Sequence, residues 1–136
     1  MIEARGRNQT DQAADACGEM PGMSCIAGEG PEFLASTFPA SLIVARLRRR
    51  GLHAVLSRDA GGYLCNALLY HALMLGRSTG AAPRSGFVHL PDGLAGTIGG
   101  GRRSLRGRWL DWDGAIEGGL EIIAAAAGRA SIVAGR

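Results

Sequence analysis

Leu64, Leu68, Leu69 and Leu73 recur at helical spacing and predict an amphipathic helix over residues 62–75, closed by Gly76. Leu42, Ile43 and Leu47 make a second apolar stripe, with Pro39 suited to an early helical position and an arginine run before Gly51 at the end. A third helix is predicted over residues 111–127. There Trp112, Ile116, Leu120 and Ile123 line one face and Glu117 and Glu121 mark the polar side. Between the helices, residues 53–57 (H-A-V-L-S), bounded by Gly51 and Asp59, read as a buried strand. Residues 85–91 read as a second strand, stopped by Pro91.

The remaining stretches are less regular. Residues 2–8 suit a short strand or an extended entry, and residues 11–30 are small and polar, so residues 1–31 read as largely irregular. Such a loop is long for a compact domain and is either functional or a sign that something it should pack against is absent. Residues 92–108 are rich in glycine and arginine and are expected to be mobile, and the tail to Arg136 is undecided. No internal repeat is present. The alternation of helix and strand argues for a layered α/β fold, although only two strands are clear.

Composition narrows the class. A chain of 136 residues, with 46% hydrophobic and 20% charged residues, is a single globular domain, residues 1–136, rather than a disordered segment. The net charge is +3 and every basic residue other than histidine is arginine. Arg46, Arg48, Arg49 and Arg50 sit at a predicted helix C-terminus, where cations are favoured in any case. Arg102, Arg103, Arg106 and Arg108 read first as a solvated loop, so nucleic-acid binding ranks far behind the other readings. Cys17, Cys25 and Cys65 are an odd number without C-x-x-C pairing, which fits free thiols in a reducing cytoplasm. No apolar run has the length of a membrane span, and His53, His71 and His89 lack the spacing of a metal site.

The chemistry centres on Cys65. Gly61 and Gly62 permit a sharp turn into the helix, and Cys65 then falls in its first turn. The unpaired N–H groups and the positive end of the helix dipole favour an anion there, hence a nucleophilic thiolate. A small buried thiol is the plainer alternative. His89, at the end of a predicted strand, is the best candidate base, although a histidine in that place is often only a satisfied polar cap. His71 lies six positions after Cys65 on another helix face, and His53 reads as structural.

Two motifs then carry a resemblance. The run D-A-G-G-Y-L-C-N-A-L-L-Y-H-A-L, residues 59–73, is similar to the cysteine motif of type I pyroglutamyl peptidases, in which A-G-x-x-x-C-N leads into a helix. Gly86-Phe87-Val88-His89-Leu90-Pro91 resembles that family's G-F-[IV]-H-[VL]-P strand, and 24 positions separate Cys65 from His89, as the family's spacing requires. Ser36-Thr37-Phe38-Pro39 resembles the approach to the cysteine motif. Glu3-Ala4-Arg5-Gly6-Arg7-Asn8 resembles the family's E-R-x-A-x-N at Glu3 and Asn8, with Glu3 62 positions before Cys65, and Asp15-Ala16 resembles the D-A that follows.

The resemblance covers residues 3 to 127 and implies a three-layer α/β/α sandwich. It implies a cysteine exopeptidase acting on peptides with an N-terminal pyroglutamate, without metal or cofactor, nucleic acid or membrane. Cys65 would be the nucleophile, His89 the base and Glu3 the residue orienting it, with Tyr63 and Leu64 against the pyrrolidone ring. Family members also have a substantial portion before that glutamate, including strands and much of the substrate pocket. The chain is therefore expected to be the C-terminal part of such a peptidase, with N-terminal strands missing. The uncovered helix at Leu42–Leu47 or the strand at His53–Ser57 would then favour a homo-oligomer. The alternative is a catalytically impaired relic acting as an interaction module.

Overall fold

In the computed structural model, residues 1–11, 13–22, 24–79, 83–94 and 110–131 are described. In chain order the elements are β1 (Ile2–Glu3), β2 (Arg5–Arg7), β3 (Phe33–Ala35), α1 (Ala40–Arg49), β4 (Leu56–Ser57), α2 (Leu64–Ser78), β5 (Phe87–Val88) and α3 (Trp112–Ala126). The architecture is α/β, as the alternation predicts. One sheet has the strand order β4-β1-β5, and β2 and β3 form a second, two-stranded sheet. Ile2 N–H donates to the Val55 carbonyl and Ala4 N–H to that of Ser57, a pairing that advances along both strands together and is therefore parallel. Met1 and His89 exchange both backbone bonds, the reciprocal pattern of an antiparallel pair, so the sheet is mixed.

The strands are shorter than their apolar runs suggest. The segment predicted over residues 53–57 is a strand only at Leu56–Ser57, and that over residues 85–91 only at Phe87–Val88. Within residues 1–31, β1 and β2 are regular and the described remainder contains no helix or strand. The glycine- and arginine-rich stretch lies outside the described residues from position 95 onward, Arg102 to Arg108 included, as does the tail after residue 131.

The chain divides into two compact units. One comprises residues 1–2, 39–56 and 89–136, and in it α1 packs on α3. Ile43, Val44 and Leu47 are buried, whereas Leu42, predicted for the apolar stripe, is 43% exposed. The face of α3 is reversed from the prediction. Gly114, Gly118, Glu121, Ala124 and Ala125 are buried, and Trp112, Ile116, Leu120 and Ile123 are exposed. Side-chain-free Gly118 lets Leu47 and Leu52 come down onto the helix backbone. The Arg50 guanidinium lies 3.0 Å from the Glu121 carboxylate and 3.5 Å from that of Glu117. With Arg50 in place, Glu121 is buried as half of an ion pair rather than as a lone charge. Asp111 caps α3 by accepting from Gly114 N–H at 2.7 Å.

The other unit comprises residues 3–38 and 57–88. Here α2 packs on the antiparallel pair β2–β3, in the register Arg5↔Ala35, Gly6↔Leu34 and Arg7↔Phe33. Its core is Leu34, Ala60, Leu69, Tyr70 and Leu73. Leu64 and Leu68, predicted to face inward, are 66% and 63% exposed. The face that turns inward instead carries Asn66 and Tyr70. The Asn66 carboxamide accepts from Arg7 N–H at 2.8 Å and donates to the carbonyls of Arg7 (2.8 Å) and Gln9 (3.0 Å). The end of β2 and the segment just beyond it are thereby tied to one point on α2. Asn8 performs the same service for the following loop: it accepts from Ile26 and Ala27 N–H and donates to the Ala27 and Gly30 carbonyls. The Tyr70 hydroxyl, buried beneath, donates to the Pro31 carbonyl at 2.7 Å. The helix runs past Gly76, predicted to close it, and ends at Ser78 with Thr79 as its C-cap.

Two expected outcomes follow from this clasp. Asn66→Ala removes three bonds and takes the side-chain partner from Arg7 N–H and the Gln9 carbonyl, while the Arg7 carbonyl keeps Gln9 N–H, and is expected to cost about 2–4 kcal/mol in urea denaturation. A loss below about 1 kcal/mol would mean the clasp is not what joins β2 to α2. Burial raises the Tyr70 phenol above its ordinary value of 10.0, with Arg77 opposing and Cys25 adding to the shift. Above that ordinary value the unfolded chain releases the proton before the folded one does. The stabilisation is thus complete below about pH 10 and is lost as the pH rises from there toward the folded value. Thermal midpoints measured between about pH 9 and 11 should fall less steeply in Tyr70→Phe than in the parent chain.

Candidate active site

The approach to Cys65 is built from backbone requirements. Gly61 has φ +79°, a conformation other residues rarely adopt, and Asp59 Oδ1 accepts from its N–H at 3.1 Å. Gly62 is buried, and a Cβ there would run into the Asp11 carboxylate, while Asp11 N–H donates to the Gly62 carbonyl at 2.6 Å. Tyr63 follows in extended conformation as the N-cap of α2 and makes no side-chain capping bond. No acidic residue lies in the first turn to offset the positive end of the helix.

Cys65 is the second residue of α2, half-buried and a free thiol. Its neighbour Asn66 is 1% exposed and fixed by the three bonds described above. Successive helical residues are about 100° apart, so fixing Asn66 also sets the rotation at which Cys65 stands. Tyr63 and Leu64 are 42% and 66% exposed, so both are surface groups rather than core.

Glu3 lies in β1 and is fully buried. His89 directly follows β5, is half-buried, and is held by the two backbone bonds to Met1, 2.7 and 3.0 Å. Glu3, Tyr63, Leu64 and Cys65 fall in one compact unit and His89 in the other. His71 and His53 are exposed.

Two residues with a clear structural task, Asn66 and Asn8, were not assigned one by sequence reasoning. The available signal was their position in the motifs, one immediately after the cysteine and the other five residues after Glu3. Among the described residues no group of three or more His, Cys, Asp and Glu side chains could hold a metal ion. No described helix is long and apolar enough to cross a membrane.

Comparison with known proteins bears on the same residues. Residues 3–102, a stretch that contains Glu3, Cys65 and His89, match the peptidase C15 family, pyroglutamyl peptidase. The pyrrolidone-carboxylate peptidase of Chromobacterium violaceum is 40% identical over 77 residues, which are 57% of this chain and 34% of that protein. Pyroglutamyl-peptidase 1 of Rattus norvegicus is 35% identical over 92 residues, 66% of this chain and 42% of the relative. The chain thus spans well under half the length of these curated relatives. The crystal structure of pyrrolidone carboxyl peptidase from Pyrococcus furiosus superposes with a TM-score of 0.76 at 28% identity, covering 93% of this chain and 62% of that one. The enzyme from Thermococcus litoralis has the same fold, with a TM-score of 0.75 at 23% identity over 99% of this chain and 64% of its own. By its sequence match over most of its length, and by its fold, the chain belongs to the pyroglutamyl peptidase family.

Proposed function

We propose that this chain carries the hydrolytic chemistry of a cysteine exopeptidase that cleaves the amide bond after an N-terminal pyroglutamate. The observation that supports it most directly is Cys65, a half-buried free thiol in the first turn of α2, on a helix whose rotation is fixed by Asn66. Family membership supplies the substrate class.

In this reading the Cys65 thiolate attacks the pyroglutamyl carbonyl carbon, and the carbonyl π-electrons move onto its oxygen. Backbone N–H groups of Leu64 and Cys65 stabilise that oxyanion. The tetrahedral intermediate collapses with cleavage of the C–N bond, and protonated His89 gives its proton to the leaving amine. A thioester to Cys65 remains. Water then attacks it, His89 takes the water's proton, and the thiolate departs as pyroglutamate is released. Glu3 orients His89 and stabilises its charged form, as the acidic member of a triad does. Tyr63 and Leu64, exposed beside the nucleophile, offer apolar surface to the pyrrolidone ring. Residues 1–136 act as one catalytic domain in this scheme. The reducing cytoplasm suits the three free thiols.

The test is turnover of a fluorogenic pyroglutamyl amide by the 136-residue chain beside its Cys65→Ala variant. Activity is expected, with a loss of at least about 10³-fold in Cys65→Ala and in His89→Ala. Glu3→Gln should lower kcat more than it raises KM. Turnover that survives in Cys65→Ala would overturn the assignment of the nucleophile. Absence of turnover from a chain with the circular dichroism and cooperative melting of a folded protein would overturn the activity itself.

A further inference from the structure

The three residues of β2 divide their side chains between two environments. Gly6 lies against the backbone of Tyr70 in α2, and Arg5 and Arg7, each one position away, stand on the opposite side of the strand. Across the ladder Arg7 pairs with Phe33, and the Arg5 guanidinium lies 4.2 Å above the centre of the Phe33 ring. Arg5 Nε also donates to the Arg58 carbonyl at 2.9 Å, which holds the side chain in that place. Arg5, Arg7 and Phe33, together with Arg58, Asp59 and Asn66, line a cavity of about 80 Å³.

The charges around this cavity do not balance. Three guanidinium groups face one carboxylate, that of Asp59, which is 69% exposed and only within 4.0 Å of Arg7 Nη2. An exposed pair at that separation is weak. Arg7 Nε is buried and has no hydrogen-bond acceptor among the described residues. The Asn66 carboxamide bonds to the Arg7 backbone and makes no bond to Nε. The cavity therefore offers fixed donors and a net positive charge, with one donor lacking an acceptor. Its volume exceeds the space a single water takes in the liquid, about 30 Å³.

We propose that this cavity is an oxyanion-binding site for a carboxylate or phosphate group, gripped by Arg7 and Arg58 and bounded by the Arg5–Phe33 stack. A guanidinium presents paired N–H groups that match two oxygens of either group, and an anion supplies the acceptor that Arg7 Nε lacks. The proposal does not depend on the peptidase reading, since Arg5, Arg7, Arg58 and Phe33 have no part in that chemistry.

The experiment follows the thermal midpoint of the chain against added sodium phosphate and, separately, sodium acetate, with sodium chloride at matched ionic strength as the reference. A saturable rise beyond chloride is expected with at least one of the two, as binding to the folded state requires. Phosphate ahead of acetate would identify a phosphate-type ligand, and the reverse a carboxylate. Arg7→Gln and Arg58→Gln should weaken the apparent affinity about fivefold or more. Arg49→Gln, at an exposed arginine of α1 outside the cavity, should leave it unchanged. Asp59→Asn removes the competing negative charge and should tighten binding. Arg58 is exposed, so its variant carries the comparison should Arg7→Gln fail to fold. No saturable shift beyond chloride, or a shift kept equally in Arg7→Gln and Arg58→Gln, would overturn the site.

Discussion

The unit that carries Cys65 depends on one side-chain amide. Its strands β2 and β3 are only three residues long and the described residues between them form no helix or strand, so few of its backbone groups are paired by secondary structure. Part-buried N–H and C=O groups still need partners. Asn66 supplies three bonds to the backbone of Arg7 and Gln9, and Asn8 supplies four to the loop at Ile26–Gly30. Asparagine suits both places because its short amide carries a donor and an acceptor on one rigid group. The clasp at Asn66 also decides which way α2 is turned, and with it where the adjoining Cys65 stands. Stability and the placing of the nucleophile are therefore one problem in this unit.

Helix positions were legible in the sequence, whereas helix faces were not. Periodicity locates α2 and α3 to within a few residues, but it counts leucines and isoleucines without knowing what lies opposite. In α2 the buried stripe runs through Asn66, Leu69, Tyr70 and Leu73, and Leu64 and Leu68 are left outside. The polar Asn66 is drawn inward because the backbone of Arg7 in β2 and of Gln9 just beyond it offers three partners. In α3 the reversal is complete. Arg50 draws Glu121 inward, Gly118 leaves room for Leu47 of α1 and, with Gly114, for Leu52, and the large side chains are left on the exposed side. A scale of hydrophobicity ranks Glu121 among the last residues to bury, and a cation 71 positions away, joined by the Ser131 hydroxyl, makes it otherwise.

The candidate site was legible in a different way. Two-residue strands such as β1 and β5 are too short to show any period, so nothing in the alternation of polar and apolar residues marks Glu3 or His89. Those residues came from the motifs, as did the cysteine in its local setting. The physical content of the Cys65 motif is visible in the structure. Gly61 supplies a positive φ, Gly62 leaves room for Asp11, and Asn66 locks the helix, so three of the letters around the cysteine serve geometry rather than reaction chemistry.

The same short strand that holds α2 also forms the wall of the arginine-lined cavity, which raises the question of how far the two are linked. Arg7 takes part in both, through its backbone to Asn66 and through its guanidinium to the cavity. Coupling between sites requires an element with two arrangements whose balance both sites bias. The backbone of Arg7 is bonded to Asn66 through both its N–H and its carbonyl, which leaves the strand little freedom to shift relative to α2. An anion on the guanidinium would then act against unfolding of the whole unit, because the cavity exists only when β2, β3 and the Arg58–Asp59 turn are assembled. Such a ligand stabilises the clasp without redirecting it, and its effect belongs in the melting temperature rather than in the reactivity of Cys65.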